Sequence, residues 1–227
     1  MSTAGRRSIA WIACLGLWLA PFGASALSIQ LFAPSVIQGA NVSAIPATGS
    51  IPTTGTFPGN SSYTGYDLST SAFLFTFDTD AQAALDYGVR GDGRSSATLT
   101  FSLSQDVPYS VTGMFVYGTA VAGEDVGIFQ ESLVDVTPGS PGSVVYSTYS
   151  TSYQSPLIAG NPIGTLQAGR QYQLSYSAEV STGMNGVISM TGTGNVGLYF
   201  TPEPSSLSYM CCGLSAVVLS RRRRARS

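Results

Sequence analysis

The clearest pattern in the chain is Ala97-Thr-Leu-Thr-Phe-Ser-Leu-Ser104, in which apolar and hydroxyl side chains alternate without exception. Successive side chains of a β-strand point to opposite faces, so the pattern predicts a strand with one buried and one hydrated face. The same two-residue period recurs in Phe73 to Phe77, Tyr109 to Tyr117 and Gln171 to Val180, with Gly- and Pro-containing turn sequences between them. Strands repeated in this way are typical of an antiparallel β-sandwich.

No stretch of ten residues between 27 and 201 has a convincing helical period, and the chain contains no lysine and little glutamate. We therefore predict an all-β fold, a single antiparallel β-sandwich or jelly-roll-like domain over residues 27–201. Residues 33–62 contain four prolines among Gly, Ser and Thr, so we expect an irregular loop or edge there, in which Ser35 to Asn41 could pair as a strand. Toward the end we expect two strands, 187–190 and 195–200, with glycines between them.

The first 26 residues have the three parts of a secretory signal peptide. Arg6 and Arg7 are followed by an apolar stretch, Ile9 to Leu19. Ala24 and Ala26 form a small-x-small cleavage site, so we expect a signal helix that is removed before Leu27. The alternative is an uncleaved signal anchor.

Residues 202–227 form a second apolar terminal segment with three parts. It begins with Pro202-Glu203-Pro204, continues with an apolar run of 13 residues, 207–219, and ends in arginines. As a helix, that run spans roughly 20 Å, less than the roughly 30 Å hydrocarbon core. A core helix would hardly end in an arginine cluster, so we predict a short transmembrane helix instead. The arginines resist translocation and act as a stop-transfer signal. The apolar positions assigned to the membrane are Leu207, Leu214, Val217, Val218 and Leu219, and the stop-transfer arginines are Arg221, Arg222, Arg223, Arg224 and Arg226.

The order of these three parts resembles the PEP-CTERM protein-sorting signal, with Pro202, Glu203 and Pro204 as the sorting motif. The resemblance implies recognition by an exosortase, a membrane cysteine peptidase, and cleavage near the motif in bacteria that make extracellular polysaccharide. It also implies export by the general secretion machinery, residence in the inner membrane during sorting, and a final place at the cell surface or in the extracellular matrix. The alternative is an ordinary tail anchor.

Removing both ends leaves an acidic domain. Residues 27–201 carry three arginines and eleven acidic residues, a formal charge of −8, because seven of the ten arginines lie in the two terminal segments. Such a domain has little to offer phosphates, which argues against a nucleic-acid partner. All three cysteines also lie in the terminal segments, so we expect no disulfide between residues 27 and 201.

The composition disfavours catalysis. The chain has no histidine and no lysine, which excludes Ser-His-Asp and Cys-His catalysis and histidine-based zinc sites. A carboxylate-based hydrolase is the remaining enzymatic hypothesis, but no carboxylate pair is marked by its surroundings. We therefore expect a protein that is not an enzyme.

Asp78, Asp80 and Asp92 are the candidate metal ligands, and Ca²⁺ is the cofactor that they would bind. Two carboxylates at i and i+2 in a loop, near the carbonyls of a Gly-rich turn, are ligand types that Ca²⁺ prefers. The alternative is that these residues favour turns because aspartate bonds to its own backbone.

Several tyrosines lie among Ser and Thr, an arrangement that suits the flat faces of sugars. The candidates for sugar contact are Tyr146, Tyr149 and Tyr153, with Tyr63 and Tyr66 in a similar setting. The alternative is that they fill half-buried strand positions with the hydroxyl in water.

The sequence as a whole leads to two hypotheses about function. The first is a non-enzymatic surface or matrix protein associated with exopolysaccharide or biofilm, and the second is a carbohydrate-binding module that acts on extracellular polysaccharide.

Overall fold

The computed structural model describes residues 26–54, 61–82, 91–118, 126–139, 142–152, 157–158, 161–182 and 189–201. Within these ranges the chain forms thirteen strands and no helix. The predicted signal peptide up to Ser25 and the predicted membrane segment lie outside the described residues. The strands are β1 Ile29–Ile37, β2 Ala40–Asn41, β3 Ala47–Thr54, β4 Ser61–Leu68, β5 Ala72–Gln82, β6 Asp92–Leu103, β7 Val107–Tyr117, β8 Val126–Asp135, β9 Ser143–Ser152, β10 Leu157–Ile158, β11 Ile163–Leu166, β12 Gln171–Ser181 and β13 Ser189–Phe200.

The strands form two antiparallel sheets. The first sheet has the order β2-β1-β6-β12-β8-β9. The second has the order β10-β7-β13-β5-β4-β3, and β11 pairs with β7 as well. The apolar sides of the two sheets share one core, so the predicted all-β antiparallel sandwich is confirmed.

Alternation along the strands decides which side chains enter the core. Ala97, Leu99, Phe101 and Leu103 of β6 are buried, as the opening pattern predicts, and so are alternate residues of β12 from Tyr172 to Val180. Phe73 on β5 packs edge-on against Phe101 of the first sheet and Phe200 of the second, each with ring centroids 5.1 Å apart. These rings join the two sheets at the centre of the domain.

A chain of buried hydroxyl groups also links the two sheets. The side-chain oxygens of Thr64 on β4 and Ser95 on β6 lie 2.6 Å apart, and Ser95 Oγ lies 3.2 Å from the Tyr176 hydroxyl on β12. Burial raises the pKa of Tyr176 to about 12, so its hydroxyl stays neutral. These contacts satisfy polar atoms that would otherwise be costly to bury.

Residues 33–54 and 61–62, the described part of the segment 33–62, are more regular than the sequence predicts. β1 extends to Ile37 and pairs with β2 across a turn in which Gln38 and Gly39 both have positive φ (47° and 80°), as tight hairpin turns require. Ser35 to Asn41, expected to pair as one strand, is paired as two short strand ends that this turn joins. β3 contains Pro52 and pairs only with β4, and an edge strand tolerates proline because that residue has no N–H to donate.

β13 is one continuous strand, so the prediction of two strands separated by glycines is wrong. A Cβ atom on Gly194 would lie 2.5 Å from the Met114 carbonyl oxygen and from Phe77 Cζ, and one on Gly192 would lie 2.6 Å from the Phe115 ring. Aromatic rings from neighbouring strands occupy the space of the missing side chains. The glycines therefore continue the strand by admitting these rings rather than ending it.

Gly194→Ala is expected to lower the free energy of unfolding by about 1–3 kcal/mol, because neither the Met114 carbonyl nor the buried Phe77 ring can move freely. Gly118→Ala is the matched control, since a Cβ at that exposed position meets nothing within 4 Å. Urea denaturation of both variants checks the difference. Equal stabilities of the two variants would show that the rings do not depend on the glycine.

Candidate functional site

A groove of about 760 Å³ crosses the outer face of the second sheet, where β4 begins and β5 ends. A smaller depression of about 190 Å³ adjoins it and shares Tyr63, Asp78 and Thr193 with it. We call the two together the Tyr63 groove. Its lining residues are Pro52, Thr53, Ser61, Ser62, Tyr63, Thr76, Phe77, Asp78, Thr79, Asp80, Met114, Val116, Thr191, Gly192, Thr193, Gly194 and Asn195.

Strand register places the polar side chains of the groove in rows. Because Phe77 and Thr79 of β5 point into the core, Asp78 and Asp80 point outward. Asp78 lies opposite Tyr63 of β4 on one side and Thr193 of β13 on the other. One row therefore carries a ring, a carboxylate and a hydroxyl across three adjacent strands.

The second row has a carboxylate between two hydroxyl side chains, and one carboxylate oxygen is an unsatisfied acceptor. Asp80 lies opposite Ser61 of β4 and Thr191 of β13. Its Oδ1 atom is buried and has no hydrogen-bond partner in the described part of the chain. Burying an acceptor without a partner costs about 1–3 kcal/mol. Asp80 as a whole is partly exposed, so a ligand in the groove can contact the part of the side chain that is not covered.

The carboxylates of the groove have no neighbouring cation in the part of the chain that the structure describes. The two arginines described there are engaged with residues of the first sheet. Arg94 donates from Nε to Ser177 Oγ at 3.1 Å, and Arg170 forms an ion pair with the buried Asp135. The groove is thus anionic and suits hydroxyl donors or cations better than anionic groups.

The three predicted calcium ligands are not gathered in one loop. Asp78 and Asp80 lie within strand β5 rather than in a loop, since the buried Thr79 between them continues the alternation. Asp92 begins β6 in the first sheet and is exposed, because its neighbour Gly93 points inward against the Asp80 backbone. Among the described residues, no group of three or more Asp, Glu, Cys or His side chains could hold a metal ion.

The predicted sugar-contact tyrosines are also separated. Tyr146 on β9 lies opposite Leu133 and packs partly buried against the core, whereas Tyr149 lies opposite Gln130 and is 65% exposed. The two rings therefore belong to opposite faces of the strand, and Tyr153 lies outside the residues with described side chains. Tyr66 is partly buried over Gly49, which leaves Tyr63 as the tyrosine of the original set that lines the groove.

Glu131 is a buried carboxyl group that the sequence analysis did not single out. It lies on the inner face of β8, fully buried and opposite Tyr176 of β12. Neither carboxyl oxygen has a hydrogen-bond partner among the described residues, and burial raises the pKa of Glu131 to about 8. The inward positions of the strand, Phe129, Glu131 and Leu133, follow the period of two, so the alternation contains the signal that places this carboxyl in the core.

No helix long and apolar enough to cross a membrane occurs among the described residues.

No protein-family model matches the chain, and a comparison with curated proteins also finds no match. Among solved structures, the chain is similar to the VP2 subviral particle of infectious bursal disease virus, with 15% identity and a TM-score of 0.21, over 77% of this chain and 54% of the viral chain. The structure of the Gx strain of that virus gives 13% identity and a TM-score of 0.20, over 87% of this chain and 73% of the other. The structure of the Gt strain gives 16% identity and a TM-score of 0.19, over 78% of this chain and 55% of the other. The chain spans about half the length of the first of these, and similarities this weak carry no functional argument.

Proposed function

We propose that this protein is an exported, non-enzymatic surface or extracellular-matrix protein that is sorted by its C-terminal segment. The observation that carries the proposal is the order Pro202-Glu203-Pro204, apolar run and arginine cluster, directly after the domain. β13 ends at Phe200, and the Thr201 N–H donates to the Pro108 carbonyl oxygen at 2.9 Å. The sorting motif thus begins one residue beyond the last hydrogen-bonded residue that the structure describes.

The route that we propose has three steps. The signal peptide directs the chain through the general secretion machinery and is cleaved after Ala26. The apolar run then holds the chain in the inner membrane as a short helix, with the arginines on the cytoplasmic side. An exosortase recognises Pro202-Glu203-Pro204 and releases a jelly-roll-like domain to the cell surface or the matrix.

The chemistry of the domain is compatible with this destination. Residues 27–201 contain no cysteine, so folding outside the cell requires no disulfide exchange. Their stability comes from antiparallel pairing along long strands and from the shared aromatic core. A formal charge of −8 favours solubility in a hydrated matrix.

A test uses the protein expressed in a bacterium that carries an exosortase. Wild-type protein is expected to leave the inner-membrane fraction. A variant with Pro202, Glu203 and Pro204 replaced by alanine is expected to stay there, while a control with Ser205→Ala and Ser206→Ala behaves as wild type. Equal retention of all three proteins in the membrane would favour an ordinary tail anchor.

The second candidate function is carbohydrate binding, and the Tyr63 groove is the observation that favours it. A partly exposed ring, two carboxylates and several hydroxyl groups line one concave surface. Its volume lies within the range of roughly 300–1,000 Å³ that is usual for ligand sites. A carboxylate-based hydrolase finds less support, since Glu131 is sealed between the sheets and cannot meet a substrate there.

A further inference from the structure

We propose that the Tyr63 groove is a binding site for a neutral oligosaccharide, with the Tyr63 ring against a sugar face and Asp78 and Asp80 accepting hydrogen bonds from sugar hydroxyls. The inference rests on the carbohydrate-binding candidate above. The proposed site lies on the outer face of the second sheet, not at the tyrosines of β9 in the first sheet.

The shape of the groove suits an extended ligand that lies across the strands. The lining residues come from β3, β4, β5 and β13, and the adjoining depression reaches β7. Neighbouring strands are about 4.8 Å apart, so these five strands span about 19 Å. That length accommodates several sugar units in a row, whereas a single monosaccharide would leave most of the surface uncovered.

Tyr63 supplies the apolar contact. It is 43% exposed although β4 is paired on both sides, and its neighbours across the strands are Pro52 and Asp78. A half-exposed ring presents a flat surface to the C–H groups of a sugar and keeps its hydroxyl in water. Met114 and Val116, each about two-fifths exposed, extend this apolar surface toward β7.

The carboxylates supply the polar contacts and select a neutral ligand. A carboxylate accepts hydrogen bonds and donates none, so it matches the hydroxyl groups of a sugar. Asp78 is exposed and Asp80 is partly exposed, so sugar hydroxyls can reach both carboxylates. Neither described arginine faces the groove, so the described residues present an acidic saccharide with two carboxylates and no cation.

Isothermal titration of the full-length protein with cellohexaose, mannohexaose and xylohexaose tests the inference, with an oligomer of alginate as the acidic comparison. We expect at least one neutral hexasaccharide to bind, no binding of alginate, and no effect of a calcium chelator. Tyr63→Ala is expected to weaken that binding by about tenfold or more, and Tyr63→Phe to retain most of it, because stacking needs the ring. Tyr149→Ala, which removes an exposed tyrosine from the other sheet, is the matched control and is expected to bind as wild type.

Any other outcome contradicts the groove as the site, carbohydrate binding itself, or the preference for a neutral sugar. Binding that is lost in Tyr149→Ala but kept in Tyr63→Ala overturns the groove and leaves carbohydrate binding in place. Flat titrations with all three neutral hexasaccharides overturn both the groove as a binding site and the carbohydrate-binding function. They leave the export proposal untouched. Preference for alginate, or loss of binding with the chelator, overturns direct recognition of a neutral sugar. Thermal unfolding of each variant verifies that its fold is retained.

Discussion

Phe73→Ala is expected to lower the free energy of unfolding by about 3–5 kcal/mol. Phe73 is fully buried between the sheets, and its ring packs edge-on against Phe101 and Phe200. Truncation removes the transfer free energy of the ring and leaves a cavity that its neighbours cannot close, since they are fixed on strands of different sheets.

Urea denaturation measures this loss, with Leu74→Ala as the matched control. Leu74 is the next residue of β5, but it lies on the outer face and is only partly buried. We expect its truncation to cost clearly less than that of Phe73. Equal costs at the two positions would contradict the assignment of the inner and outer faces of β5.

Stability is expected to fall as the pH rises between about 4.5 and about 8, because Glu131 binds a proton more tightly in the folded than in the unfolded chain. Burial raises the pKa of this carboxyl to about 8 in the fold, whereas the unfolded chain has the ordinary value of 4.5. Above pH 4.5 the unfolded state therefore loses its proton first. Each pH unit in this window removes up to about 1.4 kcal/mol.

Asp135 and Glu179, whose pKa values are also shifted, do not cancel this slope. Burial raises the pKa of Asp135, but hydrogen bonds from Thr137 and Arg170 outweigh that effect and lower it, so the stability from this group is lost only at more acidic pH. The pKa of Glu179 is raised by burial and by Asp92, against the opposing effect of Arg94, so it acts in the same direction as Glu131.

Glu131→Gln separates these contributions, since it keeps the shape of the side chain and removes the ionisation. We expect the variant to match wild type near pH 5 and to be the more stable protein near pH 8. Urea midpoints at a series of pH values check this. An identical pH dependence of both proteins would mean that Glu131 is not held in a buried, unpartnered state.

The alternating sequence predicts the strands of the fold well, because side-chain direction in a strand has a fixed period. β6 and β12 bury the residues that their patterns indicate, from Ala97 to Leu103 and from Tyr172 to Val180. The pattern fails where a strand contains glycines, because a glycine has no side chain that could show the alternation. Gly192 and Gly194 read as a break, although rings from β5 and β7 fill their place.

The site is less predictable, because pairing between distant strands creates it. Tyr63 and Asp78 stand opposite each other through the β4–β5 pair, but Thr193 joins them only through β13, more than a hundred residues later in the chain. Residue types alone select Asp78, Asp80 and several tyrosines as candidates. The period of two already places Tyr146 and Tyr149 of β9 on opposite faces, whereas only the register of β4 and β5 shows that Tyr63 lies beside the carboxylates.

The intact mass of the mature protein is the most direct test of export and sorting through the two terminal segments. The protein is recovered from the envelope and medium of a bacterium that carries an exosortase. We predict a species that begins at Leu27 and ends near Pro204, without the arginine cluster. A mature species that still contains Arg221 to Arg226 would contradict sorting by cleavage.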